Sequence, residues 1–298
     1  FDDAQKVAAV REIVAAVRGR GDAALFAYSE KFDGSVLDKD TVAVSREEIG
    51  AAYAALDNDL LSSMKKAAAN VLAYHSRNPL REDIRTENGR TTGYTVRAVE
   101  RAGIYVPGGT APLFSSVMMG VLPAKAAGVE HIFVCTPAKN GKIAPAVLVA
   151  ADLCGAEKIF KVGGAQAIAA LAYGTESVPK VDVIAGPGNI FVTLAKKEVY
   201  GDVGIDMLAG PSEILIIADD KQNPKFVAAD ILSQAEHDKL ARALLLTPSR
   251  AFAEQVAAEV ERQLALLPRK EIAEYSVQNA GGIILVKDLD EACALANE

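Results

Sequence analysis

The sequence predicts an α/β fold of two domains, each with a mainly parallel sheet flanked by helices. Three observations lead there. Half of the 298 residues are apolar, there is no Trp, and aromatics are few, which suits layered helices and strands. Six short runs are almost continuously apolar: "HIFVC", "KIFKVGG", "VDVIAGPG", "EILIIAD", "ALLLTP" and "GIILV". Segments of helical periodicity separate them, at 143–154, 165–173, 190–199, 223–239 and 250–267. Continuous apolar strands with helical crossovers indicate parallel sheets covered on both faces.

The elements follow in order. Residues 3–30 have helical periodicity, broken by Gly19 and Gly21. Ser45 and Glu48 form a capping box that opens one or two amphipathic helices over 45–78. At "TENGRTTGYTVRAV" the period changes to two, with Asn88-Gly89 as a hairpin turn. The strand–helix alternation then begins. Asp288 opens a last helix with Leu289, Ala292, Cys293 and Leu295 on its apolar side, and no capping residue is expected to close it. Domain crossings are expected in short loops near Ala102 and Gly210. The expected division is a discontinuous first domain, 1–102 plus 213–298, with 103–212 inserted as the second.

Charge and cysteine content exclude several classes. Lys plus Arg is 32 and Asp plus Glu is 39, a net charge of −7. Nucleic acid calls for a basic face, and no basic run with interleaved aromatics is present. Cys135, Cys154 and Cys293 are widely spaced among apolar residues, without a CxxC motif. They read as reduced, buried thiols of a cytoplasmic protein. No apolar stretch reaches the roughly 18 residues of a membrane helix. The chain begins with Phe1, and together with the bare last helix this suggests part of a longer polypeptide.

Glycines cluster where strands should end: "YVPGGTAP" (105–112), "VGGAQA" (162–167) and "AGPGNI" (185–190). Ligands of open α/β sheets bind at the carboxyl ends of strands, where helix N-termini offer free N–H groups to anions. The segment from Gly186 fits GxGxx but has Phe191 where the dinucleotide fingerprint wants Gly or Ala. The fold class is therefore an incomplete Rossmann-like one, and these glycines read equally as tight turns or as ligand loops. "DMLAGPSE" (206–213) carries Ser212 without a G-x-S-x-G elbow, so a hydrolase nucleophile is not indicated.

"DILSQAEHD" (230–238) holds one of three histidines. Asn223 reads as the N-cap of this helix and Pro224 as its first residue. Asp230, Ser233, Gln234 and His237 form a polar stripe opposite Val227, Ala228, Ile231 and Leu232. A neutral imidazole is a good zinc ligand and Gln a poor one. Zinc needs about four donors, so this pair makes either half a metal site or a solvated helix face. His75 and His131 have no such company.

Taken together, the segments "VRGRGDAALFAYSEKFDG", "GIYVPGGTAPLFSSVMMGVLPAKAAGV", "VGGAQAIAALAYGTESVPKVDVIAGPGNIFVTLAKKEV" and "IDMLAGPSEILIIADDKQNPKFVAADILSQAEHD" resemble the histidinol dehydrogenase family along essentially the whole chain. The resemblance implies oxidation of L-histidinol through histidinal to L-histidine, with reduction of two NAD molecules. It implies a homodimer with one zinc per site. Gln234 and His237 match zinc ligands that also approach the substrate, and Ser212 matches a substrate-binding serine. Tyr105, Gln166 and Asn189 match NAD-contacting positions. No catalytic residue is matched within the chain: the family's Glu–His base pair lies in a "PEHL" segment that would follow Glu298, and Glu236-His237 is no substitute. The family's C-terminal domains are thus expected to be missing and the 298 residues alone to be inactive. Within the same family, a dehydrogenase of another small polar alcohol, such as a sulfonated diol, is the alternative. A short form binding zinc or nucleotide without catalysis is the reading from another class.

Overall fold

A computed structural model describes residues 4–77, 81–108, 113–208 and 213–298. The chain forms two compact units, Phe1–Leu208 and Ala209–Glu298. In order, the first contains α1 (Ala4–Arg20), α2 (Asp22–Asp33), α3 (Arg46–Ala55), α4 (Asn58–Ser76), β1 (Asp83–Glu87), β2 (Arg90–Tyr94), β3 (Arg101–Tyr105), α5 (Phe114–Ala126), β4 (His131–Cys135), α6 (Pro145–Cys154), β5 (Lys158–Phe160), α7 (Gly164–Tyr173), β6 (Val183–Ala185), α8 (Ile190–Val199) and β7 (Gly204–Ile205). The second contains β8 (Glu213–Ile217), α9 (Pro224–Ala235), β9 (Arg242–Thr247), α10 (Arg250–Leu264), α11 (Lys270–Ala280), β10 (Gly282–Leu285) and α12 (Leu289–Ala296).

This grouping differs from the expected discontinuous division. The N-terminal helices have apolar faces that need cover, and they find it on the middle segment. Helices α1 and α2 pack on α7, while α3 and α4 pack on α6. The strand β3 also crosses the expected boundary near Ala102, because it is the central strand of its sheet.

The main sheet of the first unit has the order β5-β4-β3-β6-β7, all parallel. Counted from β3, that is strand order 3-2-1-4-5, the arrangement of a dinucleotide-binding sheet one strand short of the usual six. Successive residues point to opposite faces. Phe133, Cys135 and Phe160 enter the core shared with α1, α2, α7 and α8. Ile104, Ile132, Val134 and Ile159 enter the core shared with α3 to α6. With both faces buried, no polar position is left to interrupt the apolar run.

Several local predictions hold. Ser45 Oγ accepts the Glu48 N–H at 3.2 Å, and Glu48 Oε2 accepts the Ser45 N–H at 2.9 Å. The hairpin β1–β2 turns at Asn88 (φ 52°) and Gly89 (φ 74°), a two-residue primed turn. Others are corrected. Helix α1 runs through Gly19 and breaks only at Gly21, whose φ is 52°. Helix α9 stops at Ala235 rather than continuing to 239. Cys135 and Cys154 are buried, but Cys293 is exposed because only Ala292 of α12 reaches the core. Asn297 does cap α12, its Nδ2 donating to the Cys293 carbonyl at 2.8 Å. No helix among the described residues is long and apolar enough to cross a membrane.

Candidate functional site

The glycine-bearing loops after β3, β5 and β6 meet at the carboxyl edge of the main sheet. Strands β3 and β6 are neighbours, with Ile104 beside Ala185, so the loops that follow them start side by side. A Cβ on Gly186, whose φ is +123°, would lie 2.1 Å from the Tyr105 carbonyl oxygen. Gly108 and Gly163 approach Pro137 from two loops; a Cβ would come within 2.5 and 2.4 Å of its ring. The close approach of three loops requires the missing side chains. This edge, between the first and fourth strands of the 3-2-1-4-5 order, is the switch point where such sheets hold ligands.

Tyr105, Gln166 and Asn189 all lie on this edge. Tyr105 ends β3 and is 3% exposed; its hydroxyl oxygen accepts the Gly164 N–H at 3.1 Å. Burial pushes its phenol up to about 12, so it stays protonated and acts as a hydrogen-bonding group rather than a base. Gln166 is buried in α7, and its Oε1 borders Gly164, the same residue that Tyr105 engages. Asn189 is the N-cap of α8; its Oδ1 accepts the N–H groups of Phe191 and Val192 at 3.1 and 3.2 Å. That commits the amide oxygen and leaves Nδ2 as a donor for an acceptor atom of a ligand. Strand order and the bare glycine backbone fit a dinucleotide here without the usual glycine fingerprint.

Two polar residues of this edge escaped the sequence reading. Lys196 and Asp206 are an ion pair beside Gly186. The sequence signal was a lysine within the apolar stripe of Val192, Ala195 and Val199 on α8. Asp33, at the end of α2, keeps a buried Oδ2 without a hydrogen-bond partner, and burial raises its carboxyl.

The second unit holds the candidate metal residues. Asn223 Oδ1 caps α9 by accepting the Lys225 N–H at 3.0 Å, and Pro224 follows at the first helical position. Gln234 lies in the last turn and is half-buried, while His237 lies in the turn beyond and is exposed. The His237 N–H donates to the Gln234 carbonyl at 3.2 Å, which keeps the two residues on one turn although the helix has ended. One imidazole and one amide make half of the roughly four donors that zinc takes. Among the described residues no cluster of three or more His, Cys, Asp or Glu completes it. Ser212 lies outside the described residues. His131 serves a structural pair: its Nδ1 is 2.6 Å from Glu157 Oε2, and that hydrogen bond raises its pKa.

A family model described as histidinol dehydrogenase matches residues 1–298. The chain belongs to the histidinol dehydrogenase family. It is 54% identical over 292 residues to the histidinol dehydrogenase of Moorella thermoacetica, covering 97% of this chain and 69% of the relative. It is 52% identical over 290 residues to that of Bacillus thuringiensis subsp. konkukian, covering 97% and 67%. It thus spans about two thirds of the length of these relatives. The crystal structure of histidinol dehydrogenase from Elizabethkingia anophelis superposes with a TM-score of 0.92 at 41% identity, over 100% of this chain and 68% of the other. The parallel α/β fold and membership of an oxidoreductase family of histidine biosynthesis follow together.

Proposed function

We propose that the chain is the nucleotide-binding and half-metal-site part of an NAD-dependent, zinc-containing enzyme. It oxidises L-histidinol through histidinal to L-histidine. The observation that carries the reading is that Tyr105, Gln166 and Asn189 converge on one sheet edge at the switch point of a 3-2-1-4-5 sheet. NAD, when bound, supplies the hydride acceptor for both oxidations. Asn189 would donate its Nδ2 to the nucleotide, and the Tyr105 phenol would donate from a water-poor wall. Gln234 and His237 would hold zinc in part, and the ion would orient the amino alcohol. Ser212 would contact the substrate. The proton acceptors are expected outside these 298 residues, so the chain by itself is expected to be inactive. A homodimer in the cytoplasm completes the reading, with the family relationship as its support.

The test is NADH formation from L-histidinol by the complete gene product with zinc present. About two NADH per L-histidinol are expected, and Asn189→Ala should raise KM for NAD about tenfold by removing one hydrogen bond and the helix cap. Absence of NADH from L-histidinol, with turnover of a sulfonated diol, would replace the substrate. Absence of NAD binding would remove the cofactor.

A further inference from the structure

Lys196 is 2% exposed and lies among the buried apolar residues Val192, Ala195 and Val199 of α8. An ammonium taken out of water is costly unless it is paired and hydrogen-bonded. Its partners explain its presence. Lys196 Nζ donates to the Gly186 carbonyl at 3.0 Å and pairs with Asp206. Asp206 Oδ2 accepts the Gly186 N–H at 2.8 Å, and its Oδ1 accepts the Met207 N–H at 2.6 Å. Each member of the ion pair therefore holds one backbone polar group of the same glycine. That glycine has a positive φ of 123° and has the Tyr105 carbonyl at its back. Three residues further, Asn189 starts α8 with its Nδ2 uncommitted.

We propose that Lys196 and Asp206 are positioning residues for nucleotide recognition. The pair clamps Gly186 from both sides and fixes the 186–189 loop before ligand arrives. Asn189 then meets an acceptor atom without the loop having to order on binding, and the affinity is not reduced by a small binding-competent fraction. The nature of the ligand rests on the NAD reading above; the clamp itself rests on the hydrogen bonds.

The test is hydrogen–deuterium exchange of Phe1–Glu298 together with calorimetric titration of NAD. The variants are Lys196→Met, Lys196→Arg and the double Lys196→Met/Asp206→Asn. In Lys196→Met, peptides over 185–192 should exchange about tenfold faster and NAD should bind about tenfold more weakly, as loss of a charged hydrogen bond predicts. Peptides of α1 and α9 should be unchanged. Lys196→Arg should restore most of both. The double variant removes both charges, so no carboxylate is left without its partner, and it should show the same local loosening with the fold retained. Unchanged exchange over 185–192 in a folded variant overturns the clamp. Faster exchange with undiminished NAD affinity overturns the link to nucleotide. A wild-type chain that takes up no NAD overturns the NAD reading and that link, while the exchange result still decides the clamp.

Discussion

The two units use the same local pattern to different degrees of completion. In the first, the central sheet is buried on both faces, so β4 alternates Ile132 and Val134 on one side with Phe133 and Cys135 on the other. In the second, β8, β9 and β10 are equally apolar in sequence, yet one face is covered well and the other sparsely. Ile214, Ile216, Ala243, Leu245 and Ile283 meet α9 and α10. On the opposite face Leu246 meets Ala292 of α12, while Leu215, Ile217 and Ile284 are exposed. The candidate sites follow the same contrast. At the candidate nucleotide edge Tyr105, Gln166 and Lys196 are buried and the Gly186 backbone is pinned on both sides, whereas His237 sits exposed on a turn. The lesson is that an apolar run reports that a strand expects two covered faces, not that both covers are supplied by the residues at hand.

Three measurements test this contrast. The largest effect is expected at Gly186→Ala. A methyl group there meets the Tyr105 carbonyl and cannot adopt the φ without strain, so the first unit should lose about 3 kcal/mol. Urea unfolding followed by circular dichroism reads this, and a loss under about 1 kcal/mol would show that the loop is not pinned as described. Next, Leu245→Ala should cost the second unit about 3 kcal/mol, because the side chain is fully buried. Leu215→Ala, at 40% exposure on the other face, should cost less than about 1 kcal/mol. Equal losses would mean that the second face is covered after all.

The smallest effect concerns pH in the first unit. The hydrogen bond to Glu157 raises the His131 pKa above its unfolded value of about 6.5. Stability from this pair is therefore present in full below about pH 6.5 and is lost as pH rises through the folded value. A nuclear magnetic resonance titration of His131 should give an elevated midpoint that Glu157→Gln returns toward the ordinary value. No change in that variant would mean that Glu157 does not hold the ring.

Much of this architecture is legible in the residues, and its limits are specific. The runs "HIFVC" and "EILIIAD" both announce strands, although only the first is buried on both faces, and Asn88-Gly89, Ser45–Glu48 and Asn223-Pro224 announce a turn and two helix starts. These signals are local: each rests on backbone preference or on a hydrogen bond within about four residues. No local signal marks the start of helix α11, which begins at Lys270 without a side-chain cap. The expected end of α9 lies too far along the chain because the polar stripe runs on to His237, past the last helical residue Ala235. The residues proposed for the cofactor rest on family resemblance, since their glycine loops depart from the usual fingerprint.

By itself, then, the sequence determined the parallel α/β class, the order of most elements and the family. It did so because periodicity, caps and turn chemistry act over a few residues, and because long shared motifs are specific. Tertiary structure alone decided the partners. It placed the N-terminal helices on the middle sheet, left one face of the β8–β10 sheet open, and brought Lys196 and Asp206 to the two ends of one glycine peptide. Those outcomes depend on which distant surfaces bury one another, and no local spacing encodes that.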